Sequence, residues 1–160
     1  MGCPPRTVTL VFAILGMIGG AGTILRALAA FSHPSGAGQI LSQIFSGALA
    51  IGLGYFGYNA IINDRAGHVK LYALIHNILN ILFIIGMVIA ILIFLGFLMF
   101  TVPKDHHDMP KDMAIIVLII LIVVFAIVEP LNLWHIKSAY ATAELISQKQ
   151  IPPIYSNLHV

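Results

Sequence analysis

Hydrophobic residues fall into four long blocks separated by three short polar breaks. The blocks run over Thr7–Ala29, Ile40–Ile62, Leu71–Thr101 and Met113–Ile136. A helix needs about 20 consecutive apolar residues to cross the hydrocarbon core of a bilayer, and every block is at least that long. None shows the sustained alternation that marks a barrel strand. The pattern predicts an all-α integral membrane protein, a four-helix transmembrane bundle with both termini on one side. The third block is longer than a span requires, which predicts tilt or an extension beyond the membrane.

The breaks have loop chemistry. The first, 31–39, is rich in Pro and Gly. Asn63–Lys70 reads as a polar turn, and Pro103–Asp112 is the most charged loop. After Ile136 the pattern predicts a tail, 138–160, that starts as a short helix over Ser138–Ser147 and lifts off the membrane. Arg6, Arg65, Lys70, Lys137 and Lys149 fall on the side shared by the termini, and Lys104 and Lys111 on the other. Arg26 belongs clearly to neither. Because basic residues accumulate in cytoplasmic loops, both termini are expected in the cytoplasm. Arg6 ahead of an apolar run resembles a signal peptide. That run continues past about twenty residues with no A-x-A site, so it reads as a retained span.

Composition sharpens this picture. The chain is 59% hydrophobic and 9% charged, against about 25% charged in a soluble domain. Most of it must face lipid or other helices. A net charge of +2 is too small to argue for nucleic acid. The single cysteine, Cys3, excludes an internal disulfide framework. Cys3 lies just outside the first block and is a lipidation candidate by palmitoylation; an unmodified thiol is the other reading. Myristoylation does not fit, because Arg6 stands where Ser or Thr is required.

Small residues mark helix-packing faces. Gly16 and Gly20 form a small-xxx-small pair in the first block. Gly47 and Gly54, with Ala50 and Gly57, repeat at heptad spacing in the second. Such faces let helix backbones approach closely, within the chain, in a homo-oligomer, or against other subunits of a larger membrane assembly.

Polar residues inside the apolar blocks are candidates for function. His76, Asn77 and Asn80 lie near the start of the third block, and Glu129 and Asn132 flank Pro130 near the end of the fourth. At about 1.5 Å per residue the two groups share a depth, so they can pair. A proton or cation relay, with Glu129 titrating against His76, is one reading. Interhelical hydrogen bonds that fix packing are the other. No matching polar stripe occurs on the other two blocks, and Arg26 lies toward the opposite membrane face.

No cofactor or metal is expected. His106 and His107, flanked by Asp105 and Asp108, read as a solvated loop rather than a transition-metal site. A haem held between spans wants facing histidines, and His135 is expected near the membrane surface, away from His76. There is no Gly-rich phosphate loop and no nucleophile–His–acid set at one depth, so an enzyme is not expected.

The tail carries the one motif that names a partner. Pro152-Pro153-Ile154-Tyr155 is a complete PPxY. Its prolines pre-form a polyproline II strand that docks on the aromatic groove of a WW domain, with Tyr155 supplying specificity. Leu158 and Val160 also fit the hydrophobic-x-hydrophobic terminus that a PDZ domain captures. The plainer reading is a tail that packs on the protein's own surface or a partner's.

The two ends together resemble the lysosome-associated tetraspan transmembrane (LAPTM-like) family. Cys3-Pro4-Pro5-Arg6-Thr7-Val8-Thr9, leading into Ile14-Leu15-Gly16, is similar to that family's Cys-x-x-Arg-Thr-x-Thr lead into the first span. Asn132 and Trp134 at the polar end of the fourth block, followed by a Pro-Tyr tail, are similar too. The chain departs from the family in having one cysteine, a compact first loop and one Pro-Tyr motif. The resemblance implies a late-endosomal or lysosomal adaptor whose Pro152, Pro153 and Tyr155 recruit WW-bearing HECT-type ubiquitin ligases. A non-enzymatic tetraspan adaptor is thus the leading expectation. The alternatives are an accessory subunit of a channel, respiratory or ion-pumping assembly, and a small proton or cation transporter.

Overall fold

The structure is a computed structural model that describes residues 3–30, 37–100 and 111–150. The PPxY motif, Leu158, Val160 and the His106-His107 loop lie outside the described residues. Four helices make up the fold: α1 (Pro5–Ala29), α2 (Ala37–Ile62), α3 (Ala66–Phe100) and α4 (Lys111–Gln150). Each is long and apolar enough to cross a membrane, and no strand occurs among the described residues. This is the all-helical, multi-pass pattern of an integral membrane protein.

Local chemistry sets the helix ends. Pro5 opens α1, where its missing N–H costs no hydrogen bond. The turn between α2 and α3 closes with two backbone bonds: Arg65 N–H to the Ala60 carbonyl at 2.9 Å and Asp64 N–H to the Ile61 carbonyl at 3.3 Å. That pairing requires a left-handed residue at Asp64, whose φ is 48°. Aspartate tolerates the conformation better than most residues. Helices α2 and α3 begin at Ala37 and Ala66, ahead of the apolar blocks, because hydropathy marks where polar residues stop and not where the backbone starts to coil.

The chain divides into two compact units. The first comprises Met1–Ile75 and His135–Val160, and the second His76–Trp134.

In the first unit α1 and α2 meet along a seam of small residues. Its buried positions recur every seven residues: Ala13, Gly20 and Ala27 on α1, and Ile40, Gly47, Gly54 and Ile61 on α2. The contacts run antiparallel, Gly20 against Gly47 and Ala13 against Gly54. A Cβ added to Gly20 would lie 2.6 Å from the Gly47 carbonyl oxygen, and one added to Gly47 2.7 Å from the Gly20 oxygen. Only glycine permits that approach. Gly16 sits at the edge of the seam, 4.0 Å from the Ala50 oxygen by the same construction.

The C-terminal part of α4 is also core to this unit. The sequence predicts a separate helix over Ser138–Ser147 that lifts away; instead α4 runs unbroken to Gln150. Ala139, Thr142, Ala143 and Ile146 are buried. Their spacing of three and four residues makes one apolar face. Ala143 and Ile146 pack with Ala60, Ile61 and Val69, and Ala139 packs with Ala13, Tyr72 and Ala73.

In the second unit the remainders of α3 and α4 touch through Phe83 and Phe125, whose rings stack with centroids 6.2 Å apart. Leu82, Ile89 and Leu92 on α3, and Ile119, Ile120 and Ile127 on α4, are all more than half exposed. Contiguous apolar surface of this kind fits a lipid boundary rather than water.

Candidate functional site

Three of the five polar residues expected within the membrane form a hydrogen-bonded line in the second unit. Asn132 Nδ2 donates to Asn80 Oδ1 at 3.0 Å, and Asn80 Nδ2 donates to Glu129 Oε1 at 3.0 Å. Asn80 is buried and uses both ends of its amide. Glu129 Oε2 is buried too and has no hydrogen-bond partner among the described residues. Pro130, inside α4, has no N–H to give the Ala126 carbonyl, so the helix is one bond weaker beside the acid. His76 and Asn77 are half-buried on α3 within one turn of Asn80. The bond to Glu129 Oε1 comes from Asn80.

A second cluster lies inside the first unit, and it includes a histidine expected at the membrane surface. His135 is buried, at 4% exposure. Its ring stacks on Phe12 at a centroid distance of 4.5 Å and an angle of 10°. Its Nε2 shares a 3.2 Å hydrogen bond with the Tyr72 hydroxyl. The Tyr72 ring in turn lies flat against Gly57, where an added Cβ would fall 2.5 Å from Cε2. A continuous α4 accounts for the burial, because it carries His135 along the interior face and not out of the fold. Nearby, Thr9 Oγ1 and Thr142 Oγ1 lie 3.2 Å apart; Thr9 also reaches the Pro5 carbonyl and Thr142 the Ser138 carbonyl. Two hydroxyl protons serve three contacts. One threonine therefore bonds its own helix while the other bridges α1 and α4.

The third feature is a clamp at the end of the first unit. Arg6 Nη1 pairs with Asp64 Oδ1 at 2.9 Å, and Arg6 Nη2 donates to the Ile61 carbonyl at 3.0 Å. Gln150 Nε2 donates to the Asp64 carbonyl at 2.7 Å. Asp64 thus joins the first turn of α1 to the last residue of α4. The ion pair is 39% and 51% exposed at its two ends, so it adds about 1 kcal/mol at most.

The remaining candidates fall in plain places. Gly16, Gly20, Gly47 and Gly54 belong to the α1–α2 seam. Cys3 is exposed and free. No three His, Cys, Asp or Glu side chains converge among the described residues. The α4 face, the Thr9–Thr142 bridge and the clamp were not singled out from the sequence. The α4 face had a signal, its three-and-four spacing; the other two join residues far apart in the chain.

No family model matches the chain, and neither does any curated protein or solved structure compared with it. The resemblance to LAPTM-like proteins accordingly rests on the end motifs.

Proposed function

We propose that the chain is a multi-pass membrane adaptor, with both termini in the cytoplasm, whose tail recruits a WW-domain protein through Pro152, Pro153 and Tyr155. The observation that carries this reading is the clamped end of α4. Gln150 is held to the Asp64 carbonyl, and the motif starts two residues further on. A recognition strand that leaves the end of a packed helix starts from a defined place on the protein. The polyproline II strand adds its own pre-organisation. Recruitment makes and breaks no bond, so the protein is not an enzyme in this reading. The family resemblance adds a late-endosomal or lysosomal membrane and a HECT-type ligase as partner. Leu158 and Val160 offer a PDZ contact, and palmitoylated Cys3 would hold the start of α1 to the same membrane face.

The test is purification of the wild type and Tyr155→Ala from native membrane in mild detergent, with identification of what accompanies each. The wild type alone should bring a WW-domain partner, with insertion unchanged in both. Partner binding by the mutant would refute the motif's role. A fixed set of membrane subunits held by both would favour an accessory subunit instead.

One observation favours a second reading, a small proton or cation carrier. Glu129 Oε2 is buried without a partner in an apolar stretch, and acids at such positions often mark ion pathways. A Glu129→Gln variant that retains full transport in reconstituted vesicles would exclude it.

A further inference from the structure

A cavity of about 300 Å³ opens in the first unit between the start of α3 and the end of α4. Its apolar walls include Ala66 and Ala143, and its polar lining is Lys70, Tyr140, Glu144 and Ser147. Both charges are exposed, and neither forms an ion pair among the described residues. Tyr140 is half-buried against the cluster of Ala13, Tyr72, Ala73 and Ala139, and its hydroxyl has no partner among the described residues. Phenol groups in such positions normally find one. The cavity thus offers a cation, an anion and two hydroxyls that the protein leaves unused.

The level of the cavity along α3 says what reaches it. Lys70 is the last residue before the apolar run that starts at Leu71. With α3 as a membrane span, that places Lys70 at the height of lipid headgroups, where interfacial lysines and tyrosines collect. Basic pockets between helices at this level bind phospholipid headgroups. This one differs in carrying an acid as well. A purely anionic headgroup would satisfy Lys70 and be repelled by Glu144. A choline headgroup would bring a cation with no N–H to donate. A phosphoethanolamine headgroup matches both ends: its phosphate accepts from Lys70 and a hydroxyl, and its ammonium donates to Glu144. The volume is at the low end for ligand sites, enough for a headgroup whose acyl chains remain in the bilayer. We propose that this cavity binds the headgroup of phosphatidylethanolamine, with Lys70 on the phosphate and Glu144 on the amine. The inference uses the membrane reading of α3 and is independent of the PPxY motif.

The full chain, reconstituted into nanodiscs of equal phosphatidylethanolamine, phosphatidylcholine and phosphatidylglycerol and then released, is weighed intact to identify retained lipid. The wild type should keep phosphatidylethanolamine over phosphatidylcholine by about fivefold, the worth of one partly exposed charge-assisted contact. Glu144→Gln should erase that preference and still retain phospholipid. Lys70→Ala should lower retention of every phospholipid. Both positions are exposed, so helical content should be unchanged, and circular dichroism checks this. Equal retention of the ethanolamine and choline lipids by the wild type would overturn the proposal, as would an unaltered ratio in Glu144→Gln. Preferential retention of phosphatidylglycerol would also overturn it, as a site for anions alone. Soluble phosphoethanolamine, which lacks the chains, should leave the retained lipid in place; displacement by it at equal concentration would overturn the assignment to lipid.

Discussion

Replacing Gly20 with alanine should separate α1 from α2. The new Cβ would stand 2.6 Å from the Gly47 oxygen, 2.9 Å from Ile51 Cγ1 and 3.0 Å from Ile51 N. Ile51 can turn its side chain, but the carbonyl and amide belong to a helix backbone. Ordinary contact begins near 3.4 Å, so the helices must part by roughly 0.8 Å at this level, the strain of an overpacked core. Helices bend little over this length, so the shift also loosens Ala13 against Gly54, seven residues along the seam. Overpacking of this kind costs about 1–3 kcal/mol, and a backbone obstacle puts the cost in the upper half. The neighbouring Gly19 supplies the control, since nothing lies within 4 Å of its added Cβ. Both substitutions gain the same helix propensity, up to about 1 kcal/mol. That gain cancels in the comparison, leaving about 2–3 kcal/mol, or roughly 30- to 150-fold in the unfolding constant.

Reversible unfolding in mixed micelles, followed by circular dichroism, measures the difference. Gly19→Ala should match or exceed the wild type, and Gly20→Ala should fall below both. Gly47→Ala should behave like Gly20→Ala, and the double variant should cost less than the sum, because one displacement relieves both clashes. If Gly20→Ala unfolds within about 0.5 kcal/mol of Gly19→Ala, the seam is not the close contact described.

Two further substitutions probe the polar groups in the same assay. Asn80→Leu removes both bonds of the Asn132–Asn80–Glu129 line and should cost about 1–2 kcal/mol, at roughly 0.6 kcal/mol for an average bond between membrane helices and up to about 1.7. Asn77→Leu, which breaks no hydrogen bond among the described residues, should cost little; equal losses would mean that the line carries no stability. His135→Phe keeps the stack on Phe12 and gives up the Tyr72 bond, for about 1 kcal/mol. His135→Ala also leaves a cavity and should cost about 3 kcal/mol, and a Phe variant as unstable as the Ala variant would refute the importance of the stack.

The number of helices was legible because apolar block length is a direct physical requirement for crossing a bilayer. The seam was legible on one helix at a time. Gly47 and Gly54 announce their spacing of seven, but nothing in either block says that Gly20 meets Gly47. That pairing follows from the short α2–α3 turn and the Arg6 clamp, which set the height of α1 against α2. The end of α4 was misread for a different reason. Lys137 and Ser138 signal an exit from lipid, and hydropathy stops there. Helical periodicity does not: Ala139, Thr142, Ala143 and Ile146 continue one face for two more turns. A rule built on polarity cut the helix where a rule built on spacing would have kept it.

Register also explains which polar residues meet. Depth alone allows His76 or Asn80 to face Glu129, because they are one turn apart on α3. In the second unit the antiparallel pairs are Phe83 with Phe125 and Asn80 with Glu129. Moving one turn back along α3 moves the partner one turn forward along α4, so His76 is level with residues near Leu133, past the acid. The acid therefore meets the amide of Asn80 at Oε1. This is why the glue reading and the carrier reading separate at Glu129 Oε2. An amide line fixes the helices whatever the second oxygen does. A carrier needs that oxygen to take up and release its ligand while Asn80 holds the first.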